Sequence, residues 1–230
     1  MGRVTALRRL GLLVVGVIAA TGCYPLDYLP GTPRPSWCDP TETAVNDGHT
    51  TDFFSSYSVA KGPLSQSDCQ QVVGYLNGAA AYAARFPTVA DAQAAGWIQA
   101  TVWTPHQGLH FVDPARITGP FEPTRPNYLM FNGTSPTSKL VGMMFLVQSG
   151  TSPPVGFPGA NDHWHNHDPL CYKAGAIPYI IGEHMSDSLC IALGGVNTNF
   201  SGQWMVHVWL PIYAGWVATD IFNVDHPFLT

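Results

Sequence analysis

Apolar residues recur along "SDCQQVVGYLNGAAAYAAR" at Val72, Val73, Leu76, Ala79, Ala80 and Ala83, the three-to-four spacing that lines one face of a helix. Ser67 is placed to cap its start and Pro87 to stop it. "TVADAQAAGW" repeats the scheme in short form, with Thr88 as cap, Asp91 three residues on and Gly96 at the end. From Trp97 onward the pattern changes. "WIQATVW", "GLHFVD", "NYLMFN", "KLVGMMFLVQ", "DHWHNHD", "WMVHVWLP" and "WVATDIF" are short aromatic and β-branched runs, separated by turn signals such as "NGTSPTS", "SGTSPPVGFPG" and "LGGVNTN". The connections are too short for crossover helices, so the strands pair antiparallel. The pattern predicts an α+β fold: N-terminal helices, then a mainly antiparallel sheet or partly closed barrel, in one globular domain over residues 46–230.

The first residues do not fit that domain. Arg3, Arg8 and Arg9 precede the apolar run "LGLLVVGVIAATGC", which is shorter than the ~20 residues a membrane-spanning helix needs. It reads as an export signal over residues 1–22. Its ending, "AATGC", resembles a bacterial lipobox with Ala20 where Leu is usual, which makes Cys23 the lipidated residue and the membrane the partner it reaches. "YPLDYLPGTPRPSWCDPTETAVNDG" follows; its prolines favour extended chain, suited to a tether over residues 23–45.

Setting Cys23 aside leaves Cys38, Cys69, Cys171 and Cys190. An even number in an exported chain points to disulfides, and the local pairs Cys38–Cys69 and Cys171–Cys190 are the simplest arrangement. No CxxC spacing supports a cysteine-metal site. The loss of three arginines with the signal leaves 7 Lys and Arg against 15 Asp and Glu, a charge of about −8. With no basic cluster to offset it, such a surface repels phosphate backbones, and nucleic acid is not an expected partner.

"NDHWHNHDPLCY" places His163, His165 and His167 at alternate positions. In extended chain these side chains share a face, and imidazole suits copper or zinc. His110 in "GLHFVDP" and His207 in "WMVHVWLP" lie in other strand-like runs. A buried imidazole needs a partner, because an unsatisfied polar group costs about 1–3 kcal/mol. A metal ion supplies one, and so does a backbone carbonyl. Asp113 is placed either to orient an imidazole or simply to form the Asp-Pro turn; Asp162 and Asp168 either donate oxygen or solvate a loop. His49, His106 and His184 read as solvent-facing, and Trp103, Trp164, Trp209 and Trp216 as core.

The segments "GLHFVDP", "NYLMFN…KLVGMMFLV", "WHNHDPLC" and "MVHVWLP" resemble the motifs of an uncharacterised family of exported bacterial proteins, over about Trp97 to Asn223. The resemblance implies His110, His165, His167 and His207 as the family's histidines and Cys171 as its cysteine. It leaves His163 outside, as a surface or supporting residue. The end of the pattern, an Asn-Pro and a Gly-x-Phe, is not matched by "IYAGWVATDIFNVDHP", so His226 has no assigned role. No activity comes with the resemblance.

The chain has no GxSxG, HExxH, P-loop, GxGxxG or CxxCH motif. The expectation is a lipid-anchored extracytoplasmic protein that binds a divalent transition metal, copper or zinc, through His110, His165, His167 and His207. Two alternatives make different demands: a metal-dependent enzyme activating water or dioxygen there, or a metal-free envelope module with the four histidines dispersed.

Overall fold

The computed structural model describes residues 34–39, 62–159, 161–167, 169–199, 202–210, 221–226 and 229–230. The signal segment, Cys23, His49, Asp168, Trp216 and most of the tether lie outside these residues. Within the tether's expected span, Arg34–Asp39 sit on the domain: Trp37 and Cys38 are buried, and Cys38 is disulfide-bonded to Cys69. The Arg34 guanidinium donates to the Leu64 carbonyl and to Gln66, and pairs with Asp39.

Two helices come first, α1 (Gln66–Ala83) and α2 (Val89–Ala94). The cap of α1 is Ser65, two residues before the expected Ser67; its hydroxyl accepts the Asp68 N–H at 3.0 Å. The six apolar positions of the sequence pattern are all buried, together with Cys69. Thr88 caps α2 by accepting the Asp91 N–H. Gly96, at φ 89°, ends that helix in the left-handed region where only glycine is at ease.

The strands in chain order are β1 (Ile98–Gln99), β2 (Leu109–Val112), β3 (Tyr128–Phe131), β4 (Leu140–Gln148), β5 (Leu170–Lys173), β6 (Tyr179–Glu183), β7 (Val196–Thr198) and β8 (Gln203–Trp209). A third helix, α3 (Asp187–Ala192), lies between β6 and β7. All named pairings are antiparallel, as the short connections require. Among the described residues the strands form two open sheets, β1-β2-β3-β4-β8 and β6-β5-β7, rather than a partly closed barrel. The described part of "DHWHNHD", residues 162–167, forms no strand and holds one bridge, His165 to Met205.

Both faces of the five-stranded sheet are buried, which is why β4 reads as an almost unbroken apolar run rather than an alternating one. One face carries Leu109, Phe111, Leu129, Met143, Phe145 and Val206 and packs with α1. The other carries Met130, Met144, Leu146, Met205 and Trp209. Pairing shifts between Met130–Gly142 and Phe131–Leu140, leaving Val141 as an extra residue that returns Leu140 to the first face.

Asn127 extends the β3–β4 ladder by side chain. Tyr128 stands opposite Met144, so Pro126 would fall opposite Leu146, and proline has no N–H to offer. The Asn127 amide takes over: Oδ1 accepts the Leu146 N–H at 2.9 Å and Nδ2 donates to the Leu146 carbonyl at 2.8 Å. Asn127→Ala strands two buried backbone groups, each worth about 1–3 kcal/mol. Urea unfolding should show a loss of about 2–4 kcal/mol with an unchanged m-value.

The smaller sheet is tied by chemistry more than by apolar area. Cys171 in β5 bonds Cys190 in α3, with Cα atoms 5.7 Å apart. Gly195 passes so close that a Cβ there would lie 2.7 Å from Cys171 Sγ. β6 joins the larger sheet through Ile180, which donates to the Ala100 carbonyl and accepts from the Val102 N–H. Replacing Cys171 and Cys190 together by serine should lower unfolding stability by about 3 kcal/mol, the chain-entropy value for a loop of this length, measured by denaturant titration.

Candidate metal centre

His207 lies in β8, opposite Met144 of β4, and His110 lies in β2, opposite Met130 of β3. Strand alternation sends both imidazoles to the face of the sheet that carries the methionines. His165 comes to the same face from outside the sheet. It exchanges two backbone hydrogen bonds with Met205, at 2.9 and 2.8 Å, and bridged residues share a face. Trp164 therefore points the other way, into the aromatic cluster of Phe121 and Phe157.

The imidazoles meet. Ring centres are 5.5 Å apart for His110 and His207, 5.0 Å for His165 and His207, and 5.1 Å for His165 and His167. The four expected histidines come from three separate segments and are linked in series by ring contacts. His163, expected at the surface or in support, is fully buried with its ring 5.8 Å from that of His165. It belongs to the same cluster.

Two of these rings are oriented by carbonyl oxygens. His207 Nδ1 lies 2.7 Å from the Val224 carbonyl, and His165 Nδ1 lies 3.1 Å from the His163 carbonyl. A carbonyl only accepts, so each Nδ1 carries the proton and each Nε2 keeps its lone pair. His207 Nε2 is buried with no hydrogen-bond partner. Two further contacts involve a hydroxyl and a carboxylate: His110 Nδ1 stands 3.4 Å from Thr101 Oγ1, and His167 Nδ1 stands 3.4 Å from Glu183 Oε2.

Burial sets the proton affinities. It pushes His110 down to about 3, helped by the neighbouring His207 and opposed by Glu183. His207 falls to about 4 for the same first reason, with the Val224 carbonyl acting the other way. His165 is held well below its usual range by burial and then by His207 and His167. These rings are neutral bases near pH 7, the form that ligates metals.

The carboxylate beside the histidines is Glu183, which nothing in "IPYIIGEH" singles out except that an acid ends an apolar strand. Asp113 takes the turn-forming role, its Oδ1 accepting the Ala115 N–H. Asp162 is also structural: its Oδ2 accepts from the Phe157 N–H at 2.8 Å and from Trp164 Nε1 at 2.7 Å, and burial raises its pKa. His106 and His184 are exposed, both at positive φ. His226, left without a role by the sequence, is buried against Trp209 with ring centres 5.0 Å apart. Burial pushes it down to about 4.

A cavity of about 90 Å³ adjoins the cluster between the two sheets. His110, His167, His207 and Glu183 line it together with Thr101, Gln107, Tyr128 and Gln203, and Met144, Leu146, Met205, Leu170 and Ile180 are among its apolar walls.

Among the described residues, no three His, Cys, Asp or Glu side chains bring their donor atoms together as a bound metal ion requires. The ring spacing is nonetheless of the right size. With metal–nitrogen bonds of about 2 Å, two imidazoles in tetrahedral array have centres about 5 Å apart. Compared with known protein families, curated proteins and solved structures, the chain matches none.

Proposed function

We propose that this is an exported, lipid-anchored protein that binds one divalent transition metal ion, copper or zinc, through His110, His165, His167 and His207. The observation that carries the reading is His207. Its Nδ1 proton is committed to a backbone carbonyl, and its Nε2 lone pair is buried without a partner, beside two further imidazoles. That is how proteins orient a metal-ligating histidine, and a bound ion removes the cost of the unsatisfied atom. Imidazole donors favour copper over zinc in intrinsic affinity. The two disulfides suit an oxidising compartment outside the cytoplasm, in keeping with anchoring through Cys23.

The cavity favours a second reading, a metal-dependent enzyme built on the same histidines. A bound ion would supply Lewis acidity and lower the pKa of a coordinated water. Glu183 lines the cavity beside His167 and is placed to accept a proton there. Elemental analysis of natively purified protein tests the first reading: about one copper or zinc per chain is expected. Substoichiometric metal unaffected by His165→Ala with His167→Ala would refute it.

A further inference from the structure

Among the described residues, each histidine in a strand pairing stands opposite a methionine. His110 faces Met130 in the β2–β3 ladder, His207 faces Met144 in the β4–β8 ladder, and His165 bridges Met205. Opposed residues share one face of a sheet, with Cβ atoms about 4.5–5.5 Å apart. Met130, Met144 and Met205 are buried in a single cluster on that face.

The three methionines are not equivalent. Met130 is a packing residue: its methyl lies over Gly142, where a Cβ would collide with Met130 Cε and with Trp209 Cε3. Met144 and Met205 instead share a cavity lining with His110, His167 and His207. His207 has Met144 across the ladder and Met205 two positions before it on the same face of β8. Thioether sulfur bears on which ion such a centre prefers. Zinc is bound by imidazole, thiolate and carboxylate, usually three protein ligands at least. Among the described residues no three such side chains converge. Thioether is a soft donor that suits monovalent copper, which accepts a smaller ligand set with sulfur in it.

We propose that the histidine centre holds copper in its monovalent state, on imidazoles gathered around His207 and on the thioethers of Met144 and Met205. This rests on the metal reading and deepens it, naming the ion, its oxidation state and two sulfur ligands. Zinc, bound through imidazole, would make no use of either sulfur.

The test titrates chelator-treated protein, labelled with ¹³C at the methionine methyls, with tetrakis(acetonitrile)copper(I) in the absence of oxygen. No thiol is added, so both disulfides stay closed. The Met144 and Met205 methyls should shift and saturate at stoichiometric copper, while Met143, buried on the opposite face, stays put. Copper binding that leaves both methyls unmoved would overturn the proposal.

Met144→Leu combined with Met205→Leu keeps the volume and removes the sulfur. It should weaken Cu(I) binding about tenfold or more, at least what losing an orienting contact costs, read by competition with bathocuproine disulfonate. Zinc affinity, titrated alongside, should be unchanged. Methionines that only fill the core predict no selective loss, so copper and zinc affinities that hold or fall together refute the assignment. The wild-type methyl shifts decide the matter if the double variant does not fold. Stoichiometric zinc without a methionine response to copper removes this inference alone. Binding of neither ion removes the metal reading and this inference with it.

Discussion

His207→Ala lowers the affinity of the purified protein for zinc by about 100-fold or more, the upper end of what losing even an orienting contact costs. This residue is expected to matter most because it is the hub of the ring contacts, touching both His110 and His165, and its Nδ1 is already fixed by Val224. Isothermal titration with zinc and with copper measures the effect. His106→Ala and His184→Ala serve as controls, since both side chains are exposed; each should leave affinity unchanged. If His207→Ala binds zinc as the parent does while its near-ultraviolet dichroism shows an intact core, the ring is a core histidine and the metal reading falls.

The metal-free protein should also be acid-labile over a defined range. His110, His207 and His226 have folded pKa values pushed down to about 3, 4 and 4 from an ordinary 6.5. Below pH 6.5 the unfolded chain takes up protons that the folded chain refuses. Stability is therefore complete above 6.5 and declines as the pH falls toward 4. Each such histidine contributes a slope of about 1.4 kcal/mol per pH unit. Denaturant titrations at pH 7, 6, 5 and 4 should show a decline steeper than one group can give. A flat profile down to pH 5 would mean that these rings reach solvent or protonate in place. Added zinc should flatten the upper part of the curve, because a ligand bound only to the folded state stabilises it by mass action.

The parts of the fold legible in the sequence are those in which apolar spacing does the folding. Helix α1 is readable because Val72, Val73, Leu76 and the alanines repeat at helical intervals, and β2, β3, β4 and β8 because they are apolar runs rich in aromatic or β-branched residues or methionine. Where the sequence pattern fell short, other forces act. β5, β6, α3 and β7 are short or half-buried, and their arrangement owes more to the Cys171–Cys190 bond than to apolar periodicity. Of the two arrangements the pattern allows, the antiparallel sheet is found rather than a partly closed barrel, since closure depends on stagger and tilt that hydropathy does not encode.

The site divides along the same line. His110 and His207 were recoverable because a polar ring in an apolar strand is conspicuous. Glu183 was not, since it ends an ordinary strand and reaches the histidines only through the packing of one sheet on the other. The resemblance leaves His163 open between a surface and a supporting place, whereas alternation alone puts it with His165 and His167, where it is buried. Asp113 and Glu183 show the limit most plainly: the nearer acid in sequence makes the turn, and the distant one lines the cavity.

The segment from Asp162 to His167 serves two masters at once, with Trp164 packed into the aromatic core and the histidines on either side of it turned to the opposite face. That sharing constrains how the protein can change over generations. A substitution at Asn166 alters one side chain, but the insertion or deletion of a single residue shifts the alternation and exchanges the two faces wholesale. Imidazoles would then be driven among Phe121 and Phe157, and the indole among the remaining histidines. Lineages carrying this stretch should therefore vary in its spelling while keeping its length.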